Sequence, residues 1–272
     1  MNRSPTRRLT GAARPLIDDL NVSCVTRTFA VEGSEVHALR DVSLRCEAGS
    51  FTALIGPSGC GKSTLLRIIA GLDHADAGTA SIGGQSPADK CRTGALGVAF
   101  QDSALLPWRT VRQNIALPLQ VLKRNVADAQ DKIQRLIELV GLQGFETARP
   151  GQLSGGMRQR VALARSLVTD PSVLLMDEPF GALDQILRRS MNIELQRIWM
   201  DQRATTLLVT HGIDEALFLA DRVVVMQRNP GRIVKIVESP FARPRLPALF
   251  SAPEFHHLED EIAAHLYSGA AS

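Results

Sequence analysis

Three short segments of this chain carry residue types that do phosphate chemistry. The first is Gly56-Pro57-Ser58-Gly59-Cys60-Gly61-Lys62-Ser63-Thr64, a G-x-x-x-x-G-K-S pattern between the apolar run Phe51–Ile55 and the apolar pairs Leu65-Leu66 and Ile68-Ile69. A strand before it and a helix after it form the context in which this pattern cradles phosphates. Glycines let the backbone curl so that successive N–H groups face one anion, and the helix start adds partial positive charge. Lys62 is then expected to reach the β- and γ-phosphates and the Ser63 hydroxyl to ligate Mg2+. The second segment is Asp177-Glu178, directly after Val173-Leu-Leu-Met176. Carboxylates at the carboxyl end of a buried strand lie where ligands of open α/β sheets collect. Asp177 can hold the magnesium through water, and Glu178 can polarise an attacking water. Two adjacent acids could also be a solvated strand end, but beside a phosphate loop the balance favours chemistry. The third is Leu153-Ser154-Gly155-Gly156-Met157-Arg158-Gln159-Arg160. A serine N-cap followed by two glycines makes an anion-attracting helix start. A chain that already holds one phosphate loop has no obvious use for a second within itself.

The elements that must position these residues can be read from periodicity. Val22 to Phe29 and Val36 to Leu44 read as strands broken at Gly33-Ser34, and Phe51–Ile55 reads as a buried strand. Ala129, Ile133, Leu136, Ile137 and Val140 recur at helical spacing with Gly141 as a stop. A further helix starts at Ser154 with Met157, Val161, Ala164, Leu167 and Val168 inward, so residues 102–168 read as largely helical. Then come a strand at Val173–Met176, a helix marked by Leu187, Met191, Leu195 and Ile198, and a strand at Thr205–Thr210. A short helix over Asp214–Ala220, a strand at Arg222–Met226 and a turn at Asn229-Pro230-Gly231 into Ile233–Val237 complete the series. Strands separated by helices imply a mainly parallel sheet covered on both faces. Residues 239–253 carry Pro240, Pro244, Pro247 and Pro253 and read as a linker into a last helix with Phe255, Leu258, Ile262 and Leu266 on one side. His257, Glu261 and His265 fall at ligand-like spacing on that helix and are read as a solvated polar face beside the apolar stripe.

Composition narrows the classes. The chain has 272 residues, 44% hydrophobic and 22% charged, which is ordinary for a globular protein. No run approaches the ~18 consecutive apolar residues that span a bilayer. Arg3, Arg7, Arg8 and Arg14 precede the first acid, which leaves 27 basic and 28 acidic residues for the rest. A near-neutral body argues against nucleic acid as a partner. Residues 1–16, Arg-rich and without an apolar h-region, share their composition with transit peptides and are read as a disordered basic tail. Cys24, Cys46, Cys60 and Cys91 form no C-x-x-C pair and no zinc spacing.

With these segments in view, the chain resembles the ATP-binding subunits of ABC transporters over about residues 17–237. The resemblance rests on the phosphate loop, Gln101, Leu153-Ser-Gly-Gly-Met157, Asp177-Glu178 followed by Gly181-Ala-Leu-Asp184, and His211, in the family's order. It implies a P-loop NTPase core of ABC type, in the α/β class, with an N-terminal antiparallel β subdomain and an inserted helical subdomain at about 102–168; the Pro-rich linker and C-terminal helix over 238–272, read from the residues, lie beyond it. It further implies that two copies meet head to tail and sandwich two ATP molecules. Residues 56–64 of one copy would face Ser154, Gly155 and Gly156 of the other. Gln101 would contact the magnesium and the attacking water, His211 the γ-phosphate, and Phe29 stands where the family stacks an aromatic on adenine, although Phe29 reads equally as a core residue.

A finer resemblance points to the nitrate, sulfonate, taurine and pyrimidine-precursor importers. It is carried by Met157, by Leu105-Leu-Pro-Trp108-Arg-Thr-Val-Arg-Gln-Asn114-Ile and by Met191-Asn-Ile-Glu-Leu-Gln-Arg-Ile-Trp199. The implied function is an ATPase on the cytoplasmic side of the cell membrane that drives separate permease subunits and, through them, answers to a solute-binding protein. An exporter ATPase and a soluble ABC ATPase outside transport are the alternatives. Leu105, Leu106 and Trp108 read either as core or as the groove for a permease helix.

Overall fold

A computed structural model describes residues 17–31, 34–181 and 183–267; the basic tail at 1–16 lies outside the described residues. In chain order the elements begin with β1 (Leu20–Val31), β2 (Ser34–Cys46), β3 (Phe51–Ile55), α1 (Lys62–Ile69), β4 (Ala77–Ile82), α2 (Pro87–Thr93) and β5 (Leu96–Ala99). The middle holds α3 (Val111–Val121), α4 (Gln130–Leu139) and α5 (Gly155–Leu167). The chain continues through β6 (Val173–Asp177), α6 (Gln185–Gln202), β7 (Thr205–Val209), α7 (Ile213–Leu219), β8 (Arg222–Gln227), β9 (Arg232–Glu238) and α8 (Pro253–Tyr267).

Two sheets result. β2, β1 and β4 form an antiparallel sheet, and the second sheet has the order β5-β6-β7-β3-β8-β9. All its pairings are parallel except β8 with β9. Every residue of β3, β6 and β7 is buried, as expected of parallel strands covered on both faces. The alternation survives inside the burial. Phe51, Ala53, Ile55, Leu174, Met176, Leu208, Val223 and Val225 face a core shared with α3 to α8. Leu54, Val173, Leu175, Leu207, Val209, Val224 and Met226 face α1 and the antiparallel sheet. One sheet thus separates two cores, and its parallel carboxyl ends form one edge.

Three elements between residues 72 and 99 carry little sequence signal. β4 is built of small residues with only Ile82 buried, β5 has four residues, and α2 has no apolar stripe. The local cue for α2 was present: Ser86 caps it by accepting from Asp89 N–H at 3.2 Å, with Pro87 at the first helical position. Over residues 102–168 the helices are α3, α4 and α5, whereas Gln101 to Thr110 forms a non-helical loop.

The Pro-rich stretch after β9 is packed rather than free. Arg245 is 3% exposed, and its Nη1 donates to Leu217 O, Phe218 O and Ala220 O at 2.8, 3.1 and 2.8 Å. Its backbone exchanges two hydrogen bonds with the Gln196 amide. Burial pushes the guanidinium down to about 10, so it stays charged at neutral pH and complements the carbonyl end of α7. Arg245→Ala strands those carbonyls without partners, and we expect a loss of about 3 kcal/mol in urea unfolding. On α8, Phe255 and Ile262 are buried, while His257 is exposed and Glu261 pairs with Lys235 at 3.4 Å. Among the described residues no cluster of His, Cys, Asp or Glu is arranged for a metal.

Candidate functional site

The phosphate-type loop leaves β3 at Ile55 and enters α1 at Lys62. Two of its glycines are required by contact. A Cβ on Gly56 would lie 2.6 Å from Cys60 Sγ and 2.7 Å from Met226 O, and Gly61, at φ +93°, would press one to 2.5 Å from Ala38 O. Gly61 supplies no side-chain cap to α1, so the first-turn N–H groups remain available to an anion. Lys62 is buried, and its Nζ donates to Gly56 O at 2.7 Å and Pro57 O at 3.1 Å. The ammonium is thus held beneath the loop by the loop's own carbonyls.

The neighbouring strands deliver the other groups to the same edge. β6 ends at Asp177, paired with Val209 of β7. Glu178 N–H donates to Val209 O at 2.8 Å, and Glu178 itself takes φ +46°. A non-glycine residue in the left-handed region is strained, and such strain collects at functional sites. Gln101 follows β5 and His211 follows β7, so they flank Glu178 from the two sides. Gln101 Nε2 donates to Glu178 Oε2 at 3.3 Å, and His211 Nδ1 lies 3.4 Å from Glu178 Oε1. A carboxylate held between an amide and an imidazole beside an anion cradle is suited to accept a proton from water that attacks the anion.

Asp177 offers a metal ligand. Burial pushes its carboxyl above the ordinary carboxylate range, and a hydrogen bond from Ser63 works against that shift. Its Oδ1 is buried without a hydrogen-bond partner. A buried, unpartnered carboxylate oxygen beside a serine hydroxyl fits Mg2+, which takes one or two such oxygens together with substrate phosphates.

A cleft of about 780 Å3 collects Gly56, Pro57, Ser58, Gly59, Lys62, Ser63, Gln101, Glu178 and His211. Cys60 is buried beneath it, and Thr64 sits in the first turn of α1. Gln227 and Arg228 at the end of β8, and Leu266 at the end of α8, also line it; no motif marks them. The signal that could find them is register. Ile55 pairs with Val225, so the residues just past β8 must emerge beside the loop that leaves β3.

Of the residues proposed from sequence, Cys60, Gly61, Thr64 and Asp177 adjoin this cleft without lining it, and Phe29, Ser154, Gly155 and Gly156 belong to other elements. Phe29 lies on β1, half-buried, with the Arg27 guanidinium 4.6 Å from its ring centre. Ser154, Gly155 and Gly156 start α5, where the Ser154 hydroxyl accepts from Met157 N–H at 3.2 Å. Ser154 and Gly155 are exposed. This helix start is therefore preformed and exposed at Ser154 and Gly155, and it does not line the cleft that holds the phosphate-type loop. α5 still touches the Gln101 loop: Gln159 Nε2 donates to Gln101 O at 3.4 Å, and Arg165 donates to Ser103 O and Ala104 O.

Comparison with known proteins gives a consistent answer. The family model described as ABC transporter matches residues 39–181. The chain is 44% identical to the aliphatic sulfonates import ATP-binding protein of Bacillus subtilis, over 83% of this chain and 87% of that one. It is 42% identical to the nitrate import ATP-binding protein of Synechococcus elongatus over 91% of both chains. An uncharacterised ABC transporter ATP-binding protein of Methanocaldococcus jannaschii is 45% identical over 83% of this chain and 84% of its own. Among solved structures, a dimeric bacterial ABC transporter cassette superposes with a TM-score of 0.73 at 30% identity, covering 82% of this chain and all of that one. A cassette dimer in a post-hydrolysis state with ADP and Pi superposes at 0.75 with 29% identity and the same coverage.

Proposed function

The chain belongs to the ABC transporter family as an ABC-type ATPase, and from that premise we propose that it is the ATP-hydrolysing subunit of an importer, working as a pair of copies on separate membrane permease subunits. The observation that carries this reading is the division of the site. The cleft holds a phosphate loop and a bracketed Glu178, while the exposed helix start at Ser154 does not line it. A second copy placed head to tail supplies the missing half. Relatives named for sulfonate and nitrate import favour a small oxyanionic or organic solute, a class that includes taurine and pyrimidine precursors. A solute-binding protein would deliver it to the permease, and the ATPase would sit on the cytoplasmic face of the membrane. Among the described residues no helix is long and apolar enough to cross it.

In this reading the N–H groups of residues 58–61 and Lys62 hold the ATP phosphates. Ser63, Asp177 and Gln101 would hold Mg2+, which when bound would neutralise charge on the phosphate oxygens. Gln101 and His211 keep the Glu178 carboxylate aimed at the attacking water, and His211 also faces the γ-phosphate. Glu178 takes the water proton as the γ-phosphoryl group leaves ADP. Phe29, covered by Arg27, is proposed to meet adenine from the rim. The deciding experiment is solute uptake by cells lacking this chain and its permease: loss of uptake of one oxyanion or organic solute, restored by both genes, supports import. Export of a solute on restoration refutes it.

Coupling to the permease is proposed to run through Trp108. The buried Asn114 side chain fixes its loop, accepting from Leu106 N–H at 2.9 Å and donating to the carbonyls of Leu106, Arg109 and Thr110. Leu105 packs on the core, but Trp108 is 68% exposed, so the loop presents it outward and Trp108 is not a core residue. Truncating an interface aromatic often costs about 2 kcal/mol, or about thirtyfold in affinity. Trp108→Ala should fold and hydrolyse ATP at the basal rate as the free subunit, but support little uptake. Unchanged uptake would remove Trp108 from the interface.

A further inference from the structure

Beneath His211 lies a group to which the reading above gives no task. Glu215, in the first turn of α7, is 4% exposed. Its Oε2 accepts a hydrogen bond from the Thr210 hydroxyl, and that hydroxyl oxygen accepts from Gly212 N–H at 3.1 Å. Thr210 N–H donates to Leu54 O at 3.2 Å, which ties the same residue to β3. The turn 210–212 is therefore held at three points: to the strand that launches the phosphate loop, to itself, and to α7. Space is short there as well, since a Cβ on Gly212 would come within 3.1 Å of Asp214 Oδ1 and 3.4 Å of Glu215 Cβ.

A leucine would fill this place without burying a carboxyl group. Burial pushes the Glu215 carboxyl up to about 6, with Arg188 of α6, Asp214 and His211 as its charged or titratable neighbours. Its Oε1 has no hydrogen-bond partner. At neutral pH the fold thus carries a desolvated carboxylate that stabilises it poorly. A group that weakens the fold one turn from a reacting side chain is explained by what it positions.

We propose that Glu215, acting through the Thr210 hydroxyl, is a positioning residue that fixes the turn carrying His211 at the γ-phosphate end of the cleft. The proposal rests on His211 acting on the γ-phosphate. The His211 side chain is 58% exposed, and among the described residues its Nδ1 pairs only with Glu178, at 3.4 Å, so its place depends on the backbone that carries it. Small displacements of a group at a reacting centre can lower rates by about a hundredfold while leaving ground-state binding intact.

The test measures kcat, KM for ATP and thermal melting of the purified full chain in five variants. Thr210→Val and Glu215→Leu remove the link while keeping bulk; Thr210→Ser and Glu215→Gln keep a donor and an acceptor; His211→Ala reports on the underlying reading. We expect the Val and Leu variants to stay folded at the assay temperature, Thr210→Val melting lower because it strands the buried Glu215 carboxylate, to keep KM, and to lose about ten- to a hundredfold in kcat. The Ser and Gln variants should retain most turnover. Wild-type kcat in Thr210→Val and Glu215→Leu, with His211→Ala inactive, overturns the proposal alone. A parallel loss of ATP binding, or no recovery in Thr210→Ser and Glu215→Gln, also overturns it, because the link would then be structural. Wild-type turnover in His211→Ala overturns the reading beneath it. If Glu215→Leu does not fold, the Thr210 pair decides.

Discussion

Glu178→Gln will bind ATP, form ATP-held dimers that persist, and hydrolyse ATP about 10²- to 10⁴-fold more slowly than wild type, the range a general base contributes. The substitution keeps the size of the side chain and its place between Gln101 and His211, each within 3.3–3.4 Å of a carboxylate oxygen. It removes only the capacity to take a proton. In the proposed role the carboxylate serves the transition state and not the bound nucleotide, so kcat should fall while ATP affinity holds. The left-handed backbone at Glu178 is shared by the variant, so its folding should be unaffected. Single-turnover hydrolysis and equilibrium ATP binding separate the two quantities. Near-wild-type turnover would take Glu178 out of the base role and leave the strain at this position without a chemical purpose.

The parts of the site that could be read in advance are those whose residues are contiguous. The loop 56–64 and the pair Asp177-Glu178 each follow a run of apolar residues that is buried along its whole length, so sequence order alone puts them at a strand end. Gln101 and His211 were legible only through family resemblance, since a lone Gln after the four-residue β5 and a lone His after β7 carry no local pattern. Gln227, Arg228 and Leu266 were not legible at all. They reach the cleft because β8 lies beside β3 and because Gln227 Nε2 donates to His265 O at 3.3 Å, facts of tertiary register that no window of residues contains. β4, α2 and β5 escaped for the opposite reason: they are too short or too exposed to show a period. Trp108 shows how an apolar cluster misleads. Leu105 and Trp108 sit three positions apart in one hydrophobic stretch, yet Asn114 fixes the loop so that one packs on the core and the other faces solvent.

The two halves of the divided site should fail in different ways. In Lys62→Ala the loop loses the ammonium that Gly56 O and Pro57 O hold in place, and with it charge-assisted contacts to phosphate worth about 1.5–3 kcal/mol each. Two such contacts amount to a loss of about a hundredfold or more in ATP affinity, measurable on the isolated subunit. Ser154 is proposed to belong to the other half. Ser154→Arg places a long cation at an exposed helix start where a second copy's nucleotide should lodge, so monomer affinity should be unchanged while dimer closure is lost. That variant also removes a cap worth about 1 kcal/mol, because the Ser154 hydroxyl accepts from Met157 N–H. Ser154→Asp is therefore the cleaner partner: aspartate caps as well as serine, but sets a carboxylate against the incoming γ-phosphate. In the Glu178→Gln background, ATP should dimerise the parent chain and fail to dimerise either Ser154 variant, as read by light scattering. If Ser154→Asp weakened ATP binding by the monomer as much as Lys62→Ala does, the helix start at Ser154 would act on its own chain's nucleotide and the head-to-tail pair would lose its main support.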